Sequence, residues 1–148
     1  MKKALLLLVF TITTFSYSQV VDYVKKTDFK QVETNRWRIT DKSINLNNGN
    51  NVMSNAFLTI GIPTEIYLNT DVDKLNSMIA DVNEKAKGLV KNKYTYESKI
   101  VKISFLAESQ QWYITIEYAA QNDYGSTKDG VINAYYDDKF NLIKINAF

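Results

Sequence analysis

From residue 72 onward the apolar positions first keep a helical period. Val72, Leu75, Ile79, Val82, Ala86 and Leu89 recur at spacings of 3, 4, 3, 4 and 3, which draws one apolar stripe along a helix. Asp73, Lys74, Asn76, Ser77, Asp81, Glu84, Lys85 and Lys87 fall on the opposite face. Thr70 or Asp71 is placed to cap the N-terminus, and Asp81 with Lys85 makes a favourable i,i+4 pair. Gly88 weakens the last turn and Asn92 is placed to close it. The stripe is too short for a coiled coil, so it predicts a helix docked on a sheet.

The period then changes to two. Val101, Ile103 and Phe105 alternate with Lys102 and Ser104, and Trp112, Ile114, Ile116 and Tyr118 alternate with Tyr113, Thr115 and Glu117. Ile143, Ile145 and Ala147 alternate with Lys144 and Asn146. Such alternation marks strands with one dry and one wet face. Glu108 and Ser109 mark a tight connection, residues 122–130 a longer polar loop, and Asp137, Asp138 and Lys139 a turn from residues 131–136 into the last strand. The prediction is a helix followed by a four-stranded antiparallel meander wrapped around it.

Residues 19–68 are less decided. Residues 37–46 read as a strand, and residues 65–68 as another after the single proline, Pro63. Residues 52–60 fit helix or strand, because a short apolar run does not choose between them. The Asn-rich stretch 45–51 reads as a turn, and none of its asparagines has Ser or Thr two residues later, which excludes a glycan acceptor there. The fold class expected is therefore α+β: one amphipathic helix packed on a curved antiparallel sheet of about four to six strands. That element order resembles cystatin-like and NTF2-like domains in shape. No motif identifies either family, so the resemblance implies no activity.

The first 18 residues add a compartment. Lys2 and Lys3 precede an apolar run over residues 4–12, and Ser16 and Ser18 stand at the small-residue positions of a cleavage site. This is the pattern of a signal peptide, with an apolar run shorter than the roughly 20 residues of a membrane anchor. Cleavage is expected after Ser18, leaving residues 19–148 as a single exported α+β domain, secreted or periplasmic, with no integral membrane segment. The leader's lysines account for the whole formal excess of +2, so the remainder is formally neutral and has no run of Lys and Arg for nucleic acid or an acidic membrane. The terminal Phe148 suits an outer-membrane barrel strand, but counting back by twos puts Asn146 and Lys144 against lipid, where charge is costly.

Composition removes further chemistry. The chain has no Cys and no His. Disulfides, Cys nucleophiles, His-containing triads and the usual zinc sites are all excluded. Asn69, Asp71 and Asp73 superficially resemble the start of a calcium loop, but Lys74 stands where that loop needs Gly and Ala80 where it needs Glu. Asp137 and Asp138 are adjacent in a turn, a poor arrangement for two carboxylates that must flank a substrate. No Gly-x-Ser-x-Gly, Ser-x-x-Lys or glycine-rich phosphate loop occurs. No metal and no cofactor are expected.

Aromatic residues make up 13% of the chain. Phe105, Trp112 and Tyr118 share the parity of the aliphatic core. Tyr113 has the opposite parity and should lie on the wet face beside Lys102, Thr115 and Lys144, while Tyr124 falls in the long loop. The candidate partner-binding residues are accordingly Lys102, Tyr113, Thr115 and Tyr124. The leading expectation is a small, exported, non-catalytic protein that engages a protein partner in an inhibitor, immunity-type or envelope accessory role. One alternative is a carrier of small apolar ligands, with a pocket between helix and sheet lined by Trp112 and Tyr118. The other is a His-free hydrolase using carboxylates.

Overall fold

The computed structural model describes residues 21–148; the expected leader, residues 1–18, and its cleavage site lie outside the described residues. Seven strands form one open sheet in chain order: β1 (Lys30–Glu33), β2 (Arg36–Asn47), β3 (Met53–Pro63), β4 (Glu97–Leu106), β5 (Gln111–Gln121), β6 (Thr127–Tyr136) and β7 (Leu142–Ala147). Helices α1 (Thr64–Asn69) and α2 (Val72–Leu89) stand between β3 and β4. They carry the chain back to the end from which β3 started, so β3 and β4 pair in parallel while every other neighbour pair is antiparallel. The molecule is thus a mostly-sheet α+β fold with one main helix. The expected four to six antiparallel strands are corrected to seven in a mixed sheet, because the N-terminal half supplies three.

Periodicity located α2. Asp71 is its cap, with Oδ1 accepting from the backbone N–H of Asp73 at 3.1 Å and of Lys74 at 3.2 Å. Thr70 instead donates its hydroxyl to Ile66 O at 2.6 Å. Leu75, Met78, Ile79, Val82 and Ala86 are buried. The helix ends at Leu89, with Val90 rather than Asn92 as its C-cap, and Leu89 is 46% exposed, so the stripe stops one turn early. Asn76, expected on the polar face, is buried together with Asn83. Seven residues apart, the two asparagines widen the stripe, and both carboxamides find backbone partners. Asn76 exchanges hydrogen bonds with Val24, and Asn83 Nδ2 donates to Asn47 O at 2.9 Å.

Three further expectations change. Residues 65–68 form α1 rather than a strand: Pro63 opens the helix where a missing N–H costs nothing, and Ile66 and Tyr67 pack while Leu68 points to solvent. Residues 52–60, left open, fall largely in strand β3. On β7, Ile143 is 53% exposed, since a bulge pairs Tyr135 with Lys144 but Tyr136 with Leu142. The extra residue reverses the parity before it, so Leu142 packs against the core in place of Ile143, while Ile145 packs there as expected. The loop expected over residues 122–130 shrinks, because β6 already begins at Thr127.

Inward residues of the central strands make the core: Ala56, Leu58, Ile60 and Ile62 on β3, Val101, Ile103 and Phe105 on β4, Trp112, Ile114 and Ile116 on β5, and Ile132, Ala134 and Tyr136 on β6. The sheet curls around α2. Tyr136 on β6 donates its hydroxyl to Asp81 at 2.8 Å, while Asn83, on the other flank of the helix, reaches the end of β2. Four strand spacings span about 19 Å, wider than the roughly 10 Å cylinder of a helix, so a flat sheet would not meet both flanks. Burial raises the pKa of the Tyr136 hydroxyl and the Asp81 carboxylate raises it further. Among the described residues no helix is long and apolar enough to cross a membrane.

Candidate functional site

Helix α2 covers one face of the sheet, and the other face is left open. Strand register arranges that face in rows. One row runs Arg38, Gly61, Ser104, Tyr113, Tyr135, Lys144 from β2 to β7. The next runs Thr59, Lys102, Thr115, Asn133, Asn146 from β3 to β7. A third places Phe57, Ile100, Glu117 and Val131 side by side. The first row is cationic at both ends, small where β3 meets β4, and aromatic over β5 and β6.

Contacts within the rows fix several of these groups. The rings of Tyr113 and Tyr135 lie 5.0 Å apart at 37°, a cross-strand aromatic pair. Thr115 Oγ1 donates to Asn133 Oδ1 at 3.0 Å. Lys102 Nζ lies 2.6 Å from Glu117 Oε1, an exposed ion pair of small energetic weight. Gly61 and Ser104 leave a trough between Arg38 and Tyr113. The resulting concavity, about 260 Å³, is rimmed by Arg36, Arg38, Lys102 and Tyr113. Among the described residues neither arginine forms an ion pair or a side-chain hydrogen bond. At the margin, the β2 bulge puts Asp41 at φ 46°, where its Oδ1 accepts from Thr59 Oγ1 at 3.3 Å.

Lys102, Tyr113 and Thr115 therefore share one surface, with Lys102 directly opposite Thr115. Tyr124 does not join them. It is 93% exposed in the turn after β5, where Asn122 Oδ1 accepts from the N–H groups of Tyr124 and Ser126, both at 3.0 Å. Tyr113 stands near the start of β5 and the turn follows its end, a separation of about 26 Å at the rise of an extended strand. The surface expected from four residues thus contains three.

Trp112 and Tyr118 lie on the core face, but among the described residues no concavity joins them. Trp112 is buried, edge-on to Phe105 at 5.1 Å and stacked on Phe140 at 5.2 Å. Tyr118, half-buried, lies across Gly130, where a Cβ would come within 2.4 Å of its ring. It lines two open surface concavities, of about 300 and 370 Å³.

Sequence reasoning missed Arg36, Arg38, Gly61, Ser104 and Tyr135. A signal existed for the arginines, since Arg36-Trp37-Arg38 alternates and Trp37 turns inward to stack on Tyr67 at 3.8 Å. Bringing them beside Lys102 requires the parallel crossover, which no local pattern announces. No family model, no curated protein and no solved structure matches this chain.

Proposed function

We propose that this is a small exported binding protein without catalytic activity, and that it engages a protein partner through the open face of its sheet. The observation that carries the reading is the row from Arg38 through Tyr113 and Tyr135 to Lys144. Tyr and Arg are the residues most enriched where protein interfaces concentrate their binding energy. Here they stand together on a surface that its own helix leaves uncovered. Export follows from the leader pattern, and an inhibitor, immunity-type or envelope accessory role is the kind such a module fills.

The test is affinity capture with the C-terminally tagged full chain, expressed in its source cells, beside a variant carrying Tyr113→Ala and Tyr135→Ala. The expected outcome is one partner recovered near stoichiometry with the wild-type chain and depleted at least about tenfold with the variant, as loss of an interface anchor of about 2 kcal/mol would give. Equal recovery by both chains would move the interface elsewhere. An apolar-ligand role would instead centre on the concavities beside Tyr118, with Trp112 confined to the core.

A further inference from the structure

The open face carries an excess of cations in one place. Arg36 and Arg38 stand two residues apart on β2 and so project to the same side. Gly61, the β3 partner of Arg38, adds no side chain, and Arg36 lies against the same glycine, 3.7 Å from where its Cβ would be. Lys102 closes the far rim. Of the acidic groups at the margin, Glu117 pairs with Lys102 and Asp41 accepts from Thr59, while on β1 Glu33 stands opposite Arg36 and Lys30 opposite Arg38, both outside the lining of the concavity. Two guanidinium forks therefore face a floor of Gly61 and Ser104 with no acidic side chain among the described residues that line it.

We propose that Arg36, Arg38 and Lys102 form a carboxylate-binding site for an acidic segment of the protein partner. The inference rests on the docking-face reading and supplies its chemistry. Arginine's planar fork takes a carboxylate through two parallel hydrogen bonds. The size of the concavity, about 260 Å³, lies just below the roughly 300 to 1,000 Å³ of sites that enclose a whole small ligand. It suits one or two side chains reaching in from a larger body. The Tyr113–Tyr135 pair beside it offers that body the aromatic contact that a free anion or a polyanionic chain does not need.

The experiment is an amide NMR titration of the full chain with a capped oligoglutamate peptide, and in separate arms with inorganic phosphate, with phosphatidylglycerol vesicles and with an oligolysine control. The expected result is saturable shifts centred on Arg38, Gly61 and Ser104 with oligoglutamate alone, weakening as salt is added. Replacing both arginines, Arg36→Gln and Arg38→Gln, should raise the Kd at least about tenfold, the loss of a charge-assisted pair of contacts. Unchanged thermal unfolding of that variant separates lost binding from lost fold. Absence of shifts with the peptide, shifts from oligolysine at the same amides, or equal or stronger binding of phosphate or vesicles would each overturn the site. If the peptide fails here while Tyr113→Ala with Tyr135→Ala still depletes the captured partner, the carboxylate site falls and the docking face stands.

Discussion

Asn76 sits on α2 between Leu75 and Ser77 with almost no exposed surface. The N–H of Val24 donates to its Oδ1 at 2.9 Å, and its Nδ2 donates to Val24 O at 3.0 Å. One carboxamide thus replaces the strand partner that the N-terminal segment lacks, and holds the buried Tyr23 and Val24 against the core. Replacing Asn76 by Leu leaves two buried backbone groups unpaired, each costing about 1 to 3 kcal/mol. The expected loss is about 2 to 4 kcal/mol in urea unfolding, against less than about 0.5 kcal/mol for Ser77→Ala on the exposed side. The helical stripe was legible in the sequence, but this burial was not, because an asparagine beside charged residues reads as solvated. Asp28 offers a second residue-scale test. Burial raises its pKa, but the hydrogen bonds from the Lys42 ammonium and the Lys25 backbone N–H outweigh it and hold the carboxyl below its usual value. A depressed folded pKa adds stability that is complete above the unfolded value of about 4 and is lost as pH falls through the folded value. Urea midpoints taken downward from about pH 5 should therefore fall in the wild-type chain, and Asp28→Asn should remove that part of the slope.

Among the elements, two glycines make opposite predictions. Gly88 lies inside α2, and a Cβ there would meet nothing within 4 Å. Gly88→Ala should raise stability by about 0.5 to 1 kcal/mol, the backbone-entropy difference in a helix. Gly49 lies in the turn between β2 and β3, where its N–H donates to Tyr96 O at 2.8 Å and a Cβ would fall 2.0 Å from Lys93 O. Backbone cannot yield as a side-chain tip does, so Gly49→Ala should lower stability by about 3 kcal/mol or more. Thermal unfolding of both variants against wild type checks the pair. Helix α2 and strands β4 and β5 were readable because each repeats its period over many residues. Strand β3 alternates as well, with Ala56, Leu58, Ile60 and Ile62 inward, but the apolar Phe57 on its outward side blurred the pattern. Helix α1 is too short to carry a period, and the bulge at β7 turned Ile143 outward while Ile145 kept the expected face. The parallel pairing of β3 with β4 is set by where the helices return the chain, a long-range fact without a local signature.

On the scale of the whole molecule, one side of the sheet is spent on the core and the other presents Arg38, Tyr113, Tyr135 and Lys144 in a row. The half of this surface made by β4 and β5 was legible: alternation put Lys102, Tyr113 and Thr115 on one face, and a tight hairpin made them neighbours. The cationic half was hidden, because Arg36 and Arg38 reach Lys102 only through the register of β2, β3 and β4. Tyr124 was assigned to the surface on chemistry alone, and strand length carries it to the other end. The central claim is that the partner meets the open sheet face and not the helix. Its most direct test places a photo-reactive residue at Tyr113 in one chain and at Ser77, on the exposed side of α2, in another, and cross-links each in its source cells. The prediction is a discrete adduct from position 113 and none from position 77. An adduct from position 77 alone, or from neither, would contradict the account.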